Sequence, residues 1–286
     1  MPKLKIAFQG EAGANSHIAC LEARPDHEPL PCRTFEDAFQ AVKTGKANLA
    51  MIAIENTTAG RVADVHHLLP DSGLWIVGEH FLRIRFQLLG LPTTKLTDLK
   101  SVHSHVHALG QCRKVIKANK LTAVVAADTA GAARELSETK DKSRAAIATK
   151  LAGEIYGLKI LARDIEDEEH NTTRFVILSK KRVDAKPNNG SVMTSFVFRV
   201  RNVPAALYKA MGGFATNGIN MTKLESYQIE GQFNATQFYA DVEGHPTDRS
   251  LQFALEELEF FTSYMRVLGT YPASPFRLEL AKRTKG

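Results

Sequence analysis

The run LAMIAIEN at 49–56 shows no alternation of apolar and polar residues, so as an extended segment it needs apolar cover on both faces. The preceding TFEDAFQAVKTG at 34–45 reads as a helix that supplies such cover. Thr34 caps it, Asp37 completes the cap, Phe35, Phe39 and Val42 share a face, and Gly45 stops it. With KIAFQG at 5–10 as an earlier strand, the order is that of a parallel sheet under helices. The pattern then repeats. Strands are expected within 75–90, and a helix over 104–118 with Val106, Leu109, the Arg113 stem and Ile116 turned inward. LTAVVAA at 121–127 reads as another buried strand, and Ser143 as the cap of a helix carrying Ile147, Leu151 and Ile155. Two α/β lobes of roughly 80–90 residues each leave a crevice where strands end and helices begin, the usual place for a ligand.

KKRVDAKPNNG at 180–190 is polar, with Pro187 and an Asn-Asn-Gly turn, and reads as a linker. Beyond it come strand 192–200, helix 204–217, strands 219–228 and 233–243, helix 248–261 and strand 264–271. Pro204 stands at the start of the first helix, and Leu207, Met211 and Phe214 form its apolar stripe. The order βαββαβ is a ferredoxin-like unit, whose edge strands suit pairing with a second copy.

The formal net charge is +6, from 37 Lys and Arg against 31 Asp and Glu, but the basic residues are scattered among acidic ones. No basic stripe interleaved with aromatics appears, so small anionic substrates account for the charge and no nucleic-acid partner is expected. No apolar run approaches the roughly 18 residues of a membrane span, and MPKLKIAFQG lacks the apolar core of a signal peptide, so a cytoplasmic protein is expected. Cys20, Cys32 and Cys112 are isolated, which indicates neither a disulfide framework nor a zinc site. His103, His105 and His107 alternate, but a helix capped by Ser104 would splay them, so no metal is expected. On that same helix Ser104 and Gln111 would return to one face as neutral hydrogen-bonding groups.

Polar clusters fall at the expected strand ends. GEAGANSH at 10–17 offers backbone amides and the Ser16 hydroxyl to an anion, without the spacing of a nucleotide-binding loop. IENTTAGRV at 54–62 places Glu55, Asn56, Thr57 and Thr58 directly after a buried strand, with Gly60 permitting close backbone approach. HNTTRFVILS at 170–179 leads Thr173 and Arg174 into an apolar strand, where the arginine is either held at the rim of the core by its stem or aimed at a ligand.

Five separated segments in one order carry a resemblance: AFQGEAGANSH at 7–17, AIENTTAGRV at 53–62, SHVHALGQC at 104–112, AAIATKLAGEIYGL at 145–158 and NTTRFVIL at 171–178. Through them the chain resembles the monofunctional prephenate dehydratases. Through NVPAALYKAMGGFATNGINMTKLESY at 202–227 and FYADVEGH at 238–245, its last part resembles an ACT regulatory domain. The resemblance implies an α/β fold with a two-lobed, periplasmic-binding-protein-like catalytic region and a C-terminal ferredoxin-like ACT domain. The implied boundaries are 1–182 for the catalytic part (1–78 with 168–182, and 79–167), 183–190 for the linker, 191–275 for the ACT domain and 276–286 for a tail.

The implied reaction is the decarboxylating dehydration of prephenate to phenylpyruvate in phenylalanine biosynthesis, with no cofactor, by a homodimer or homotetramer. Thr173 would hydrogen-bond the departing hydroxyl and Arg174 would present a planar fork to a carboxylate. Asn56, Ser104 and Gln111 match further site positions, Glu55 accompanies Asn56, Ser16, Thr57 and Thr58 support the substrate, and Phe175 packs beneath. L-Phenylalanine is the implied effector, bound near Asn217, Gly218, Ile219, Asn220, Leu224, Glu225 and Ser226. The chain departs from the family pattern at Asn15, Val106 and His107, and at ESYQ, 225–228, where Tyr227 and Gln228 replace Arg and Pro. An arogenate dehydratase and a non-enzymatic amino-acid sensor are the alternative readings.

Overall fold

A computed structural model describes residues 3–228 and 235–284. They form two compact units. The first runs to Val62 and resumes from His80 to Phe175, and the second takes Ala63–Glu79 and the described chain from Val176.

The first unit has two lobes, each an α/β layer. One is built on β1 (Lys5–Gln9), α1 (Asn15–Ala23), β2 (Glu28–Cys32), α2 (Phe35–Lys43), β3 (Leu49–Asn56) and β4 (Gly60–Arg61). After α3 (Ala63–Asp71), which belongs to the second unit, come β5 (Trp75–Arg83), which enters the first unit at His80, and, much later, β11 (Thr172–Ser179), which leaves it after Phe175. The sheet order is β2-β1-β3-β11-β5, with β4 antiparallel to β3. α2 carries the expected capping box, Thr34 and Asp37 each accepting the other's backbone N–H.

The second lobe holds β6 (Gln87–Gly90), β7 (Ser101–Ser104), α4 (Val106–Gly110), α5 (Arg113–Ala118), β8 (Thr122–Val125), α6 (Thr129–Glu138), β9 (Arg144–Ala148), α7 (Lys150–Ile155) and β10 (Lys159–Ala162). Its sheet runs β10-β6-β9-β7-β8. Here several expectations fail. The helix expected over 104–118 is a strand followed by two short helices, because Ser104 is the last residue of β7 and pairs with Val125 in β8. The cap of α4 is His105, and Val106 points outward at 52% exposure. β8 is an edge strand with Val125 66% exposed, not a fully buried one. Ser143 caps nothing. Ile147 lies fully buried in β9, and Thr149 caps the helix that follows, leaving Ile155 exposed. Short apolar runs do not distinguish strand from helix, and β9 and α7 share one such run.

The second unit contains β12 (Val192–Val200), α8 (Ala206–Thr216), β13 (Met221–Gln228), β14 (Ala235–Glu243), α9 (Arg249–Phe261), β15 (Thr262–Pro272) and α10 (Pro275–Thr284). The antiparallel order β13-β14-β12-β15 is the ferredoxin-like one. The strand expected from 233 is described from Ala235, and residues 233 and 234 lie outside the described residues. Residues at alternate positions divide the sheet's two faces. Phe196, Phe198, Phe238 and Val242 join Phe214 of α8 and Leu251 and Leu258 of α9 in one core. On the other face Ser195 donates to Asp241, Tyr239 donates to Asp241 at 2.7 Å, and His66 of α3 meets the Tyr239 ring edge-on at 5.1 Å. Tyr227, one of the departures from the family pattern, is buried on this face beside His66 and His67, its oxygen accepting from Gln237. That burial pushes its phenol pKa up to about 12.

Candidate active site

A cavity of about 310 Å³ in the first unit is lined from both lobes. β3 and β11 are neighbours in the sheet, so their ends bring Asn56, Asn171 and Thr173 to its floor, although 115 residues separate Asn56 from Asn171. Asn56 is fixed from both ends. Its Oδ1 accepts the backbone N–H of Thr58 at 2.9 Å and of Ala59 at 2.8 Å, which sets the amide's orientation. Its Nδ2 then donates to Asn171 Oδ1 at 2.7 Å and to Thr173 Oγ1 at 2.9 Å.

Four side chains close into a directional ring. Gln111 Nε2 donates to Thr58 Oγ1 at 2.7 Å, and Thr58 donates to Asn56 Oδ1 at 2.7 Å. Asn56 donates to Asn171, and Asn171 Nδ2 donates to Gln111 Oε1 at 2.6 Å. Chains of this kind polarise one another, and this one ties α4's end in the second lobe to the strand ends of the first. Thr57 is committed to the same junction, its hydroxyl donating to His170 O at 3.0 Å and accepting from Thr172 N at 2.9 Å.

Arg174 is placed away from the cavity. Successive strand residues point to opposite faces, so Asn171 and Thr173 face the cavity while Arg174 does not. Its side chain is 2% exposed and pairs with Glu55 at 2.9 Å. The expectation of a fork open to a substrate carboxylate is corrected accordingly, and the Glu55 carboxylate, 28% exposed, has its counter-charge beside it. Ser104 is also corrected: fully buried, its hydroxyl donates to Ile147 O at 2.6 Å between β7 and β9. The supposed shared helix face with Gln111 does not exist. Phe175 lies in the core.

The Ser16 side of the cavity is the start of α1. Its N-cap, Ala14, offers no side-chain hydrogen bond and its first turn holds no acid, while Ala14, Asn15 and Ser16 line the cavity. The turn before it is held by His17, whose Nδ1 accepts Gly13 N at 3.0 Å while its ring stacks on Phe8. Burial lowers the His17 pKa below its ordinary 6.5. From the second lobe, Thr149 donates to Gly13 O, Tyr156 OH donates to Ala12 O at 3.0 Å, and Arg134 pairs with Glu11 at 2.9 Å. His105 and His107 also line the cavity, the former's pKa lowered first by burial and then by His107. Asn171 and these clasping residues were not singled out from the sequence. Asn171 had one available signal, its place two residues before Thr173 on the same strand face.

Among the described residues, no cluster of His, Cys, Asp and Glu is arranged to hold a metal, and no helix is long and apolar enough to cross a membrane.

A two-lobed α/β unit with strand-end amides and hydroxyls lining an interlobe cavity, followed by a ferredoxin-like unit, defines a class of small-molecule enzyme with an appended domain. The prephenate dehydratase family model matches residues 6–183, and the chain belongs to that family. A bifunctional N-acyl-homoserine lactone acylase/prephenate dehydratase of Komagataeibacter europaeus is 53% identical over 272 residues, covering 95% of this chain and 97% of that protein. The chloroplastic arogenate dehydratase/prephenate dehydratase 1 of Arabidopsis thaliana is 38% identical over 284 residues, with coverage of 94% and 72%. Among solved structures, the quorum-quenching acylase GqqA superposes with a TM-score of 0.90 at 52% identity, covering 95% of this chain and 99% of that one. The prephenate dehydratase of Arthrobacter aurescens in complex with L-Phe superposes with a TM-score of 0.86 at 27% identity, covering 99% and 100%.

These findings correct one expectation. The resemblance pointed to monofunctional dehydratases, yet the Komagataeibacter protein, matched over nearly its whole length, is described as bifunctional. The dehydratase assignment stands, as an enzyme of the prephenate dehydratase family, without the restriction to one activity.

Proposed function

We propose that the chain converts prephenate to phenylpyruvate, carbon dioxide and water in the cavity floored by Asn56, Asn171 and Thr173. The observation that carries this reading is the Asn56 amide donating to Thr173 Oγ1. With a lone pair so occupied, the hydroxyl's own hydrogen is left to be donated into the cavity. In the reaction the bond from C1 to its carboxylate breaks, the pair moves into the ring, and the C4–O bond breaks as the hydroxyl leaves with one proton as water. Thr173 hydrogen-bonds that departing oxygen. An alcohol is too weak an acid to deliver the proton efficiently near neutral pH, so solvent supplies it. The substrate carboxylates are received by the backbone amides at the start of α1 and the Ser16 hydroxyl. Arg174 and Glu55 act behind the strands as a positioning pair. The catalytic part is assigned to 1–182 and the regulatory domain to 191–275.

Three relatives bear on substrate range. Because plant relatives are described as arogenate dehydratases, turnover of prephenate and arogenate by the purified protein should be compared. This reading expects prephenate to be the better substrate, and arogenate turned over alone would overturn it. The Komagataeibacter relative supports a second activity, hydrolysis of the N-acyl-homoserine lactone amide. Release of homoserine lactone tests it, and its absence from active dehydratase removes it.

L-Phenylalanine is proposed as the effector, bound by the ferredoxin-like ACT unit of a homodimer or homotetramer, and the Arthrobacter structure with L-Phe supports this choice. The residues expected there lie at the end of α8 and along edge strand β13. Asn217 is the C-cap, Gly218 has φ +66° with open space where a side chain would stand, and Glu225 pairs with Lys223. Ile219 packs partly against the helix core, Asn220 O accepts Glu243 N, Leu224 is exposed, and Ser226 pairs in register with Phe238. Calorimetry with L-phenylalanine paired with a rate assay decides it: no saturable heat defeats the site.

A further inference from the structure

A second cavity in the first unit, of about 490 Å³, is larger than the candidate active site and differs from it in charge. The active-site lining holds no lysine or arginine, whereas this cavity is bordered by Arg83, Arg85, Lys150 and Arg163. Its two acids are already engaged. Asp164 accepts from Gln87 at 2.9 Å and from Arg85 at 3.0 Å, which holds its carboxyl below the usual range, and Glu22 pairs with His80 at 3.0 Å. Lys150 has only the exposed i,i+4 partner Glu154 at 3.3 Å, a weak pairing. Arg83 and Arg163 have no carboxylate within ion-pair distance among the described residues. Cations gathered around one concavity repel one another in the empty protein, and a multivalent anion relieves that repulsion.

We infer that this cavity is a binding site for a small organic anion of two or more charges, carrying phosphate or carboxylate groups. Guanidinium groups present paired donors suited to either oxyanion, and the volume is that of an ordinary metabolite pocket. The site also reaches the active site through the wall they share. Asn15, the first residue of α1, lines both cavities. Thr149, next to Lys150, donates to Gly13 O in the turn that leads into α1. A ligand held by Lys150 and Arg163 from the second lobe and by Asn15 from the first therefore bridges the lobes beside that turn and alters the apparent KM for prephenate.

The test uses the full-length protein with two probes, inorganic pyrophosphate and citrate, titrated by calorimetry at low and at moderate salt. Saturable binding of at least one probe is expected, weakened by added salt and at least tenfold weaker in the Arg83→Ala/Arg163→Ala double variant. Preference for pyrophosphate identifies a phosphoester ligand, and preference for citrate a polycarboxylate. The double variant should keep the wild-type melting temperature and turnover without added anion, since neither residue lines the active site. Absence of saturable binding, equal binding by the variant, or purely competitive inhibition against prephenate that the variant retains would overturn the inference.

Discussion

The Asn56 side-chain amide donates to the Thr173 hydroxyl at 2.9 Å across 117 residues of chain. Replacing Asn56 by Ala removes that donor and the acceptor for the Thr58 and Ala59 amides together, so the turn loses its anchor. We expect kcat to fall by about 10²–10³-fold, the scale for one lost positioning or oxyanion group. Steady-state kinetics on prephenate, with circular dichroism to verify folding, measures this.

A side chain at Gly13 has no room. A Cβ there would stand 2.6 Å from Ala152 Cα and 2.8 Å from Ala152 Cβ, at a φ of +89° that only glycine adopts freely. Gly13→Ala should push α7 away from the turn before α1 and cost about 2–3 kcal/mol. Urea unfolding would read that loss, accompanied by a raised KM because the amides of Asn15 and Ser16 move with the turn.

His17 gives the first lobe a pH dependence of known sign. Burial holds its folded pKa below the ordinary 6.5, so the unfolded chain binds the proton more readily. Its contribution to stability is therefore complete above pH ~6.5 and is lost as pH falls through the lower folded pKa. Protonation also abolishes the acceptor for Gly13 N–H. Melting temperatures from pH 7.5 down to 5 should decline less steeply in His17→Phe, which keeps the stack on Phe8 and cannot titrate. His103 and His105, whose pKa values are also lowered first by burial, will leave part of the decline in place.

Ala205 precedes α8 in the left-handed region, φ +61° and ψ 13°. A Cβ costs about 1 kcal/mol there, and no side-chain cap offsets it. Ala205→Gly should accordingly raise the urea midpoint of the C-terminal unit. An unchanged or lowered midpoint would contradict the strain.

The fold was legible where apolar periodicity was long. α2 with its Thr34 cap, the doubly covered β3 and the βαββαβ order follow from pattern alone. Misreadings cluster at 104–118 and 143–155, where short elements share one apolar run and a single residue decides which period applies. In the site, Asn56 stood out as a polar residue directly after a buried strand, whereas the role expected of Thr173 came from the resemblance. Arg174 was misplaced although the period of two along β11 separates it from Thr173; its charge drew it toward a ligand, while the structure offers it Glu55. The ring through Asn171 and Gln111 joins three segments distant in sequence, 56–58, 111 and 171, and no local pattern encodes such closure.

The central claim is that Thr173 acts on the departing hydroxyl in the cavity that Asn56 helps to build. The most direct measurement is steady-state formation of phenylpyruvate and carbon dioxide from prephenate by the wild type and by Thr173→Ala, both verified as folded. The account predicts equimolar products from the wild type, and for the variant a kcat lower by about 10²–10³-fold with KM nearly unchanged, since the lost bond matters chiefly in the transition state. A folded wild type that leaves prephenate untouched, or a variant that turns it over at the wild-type rate, would contradict it.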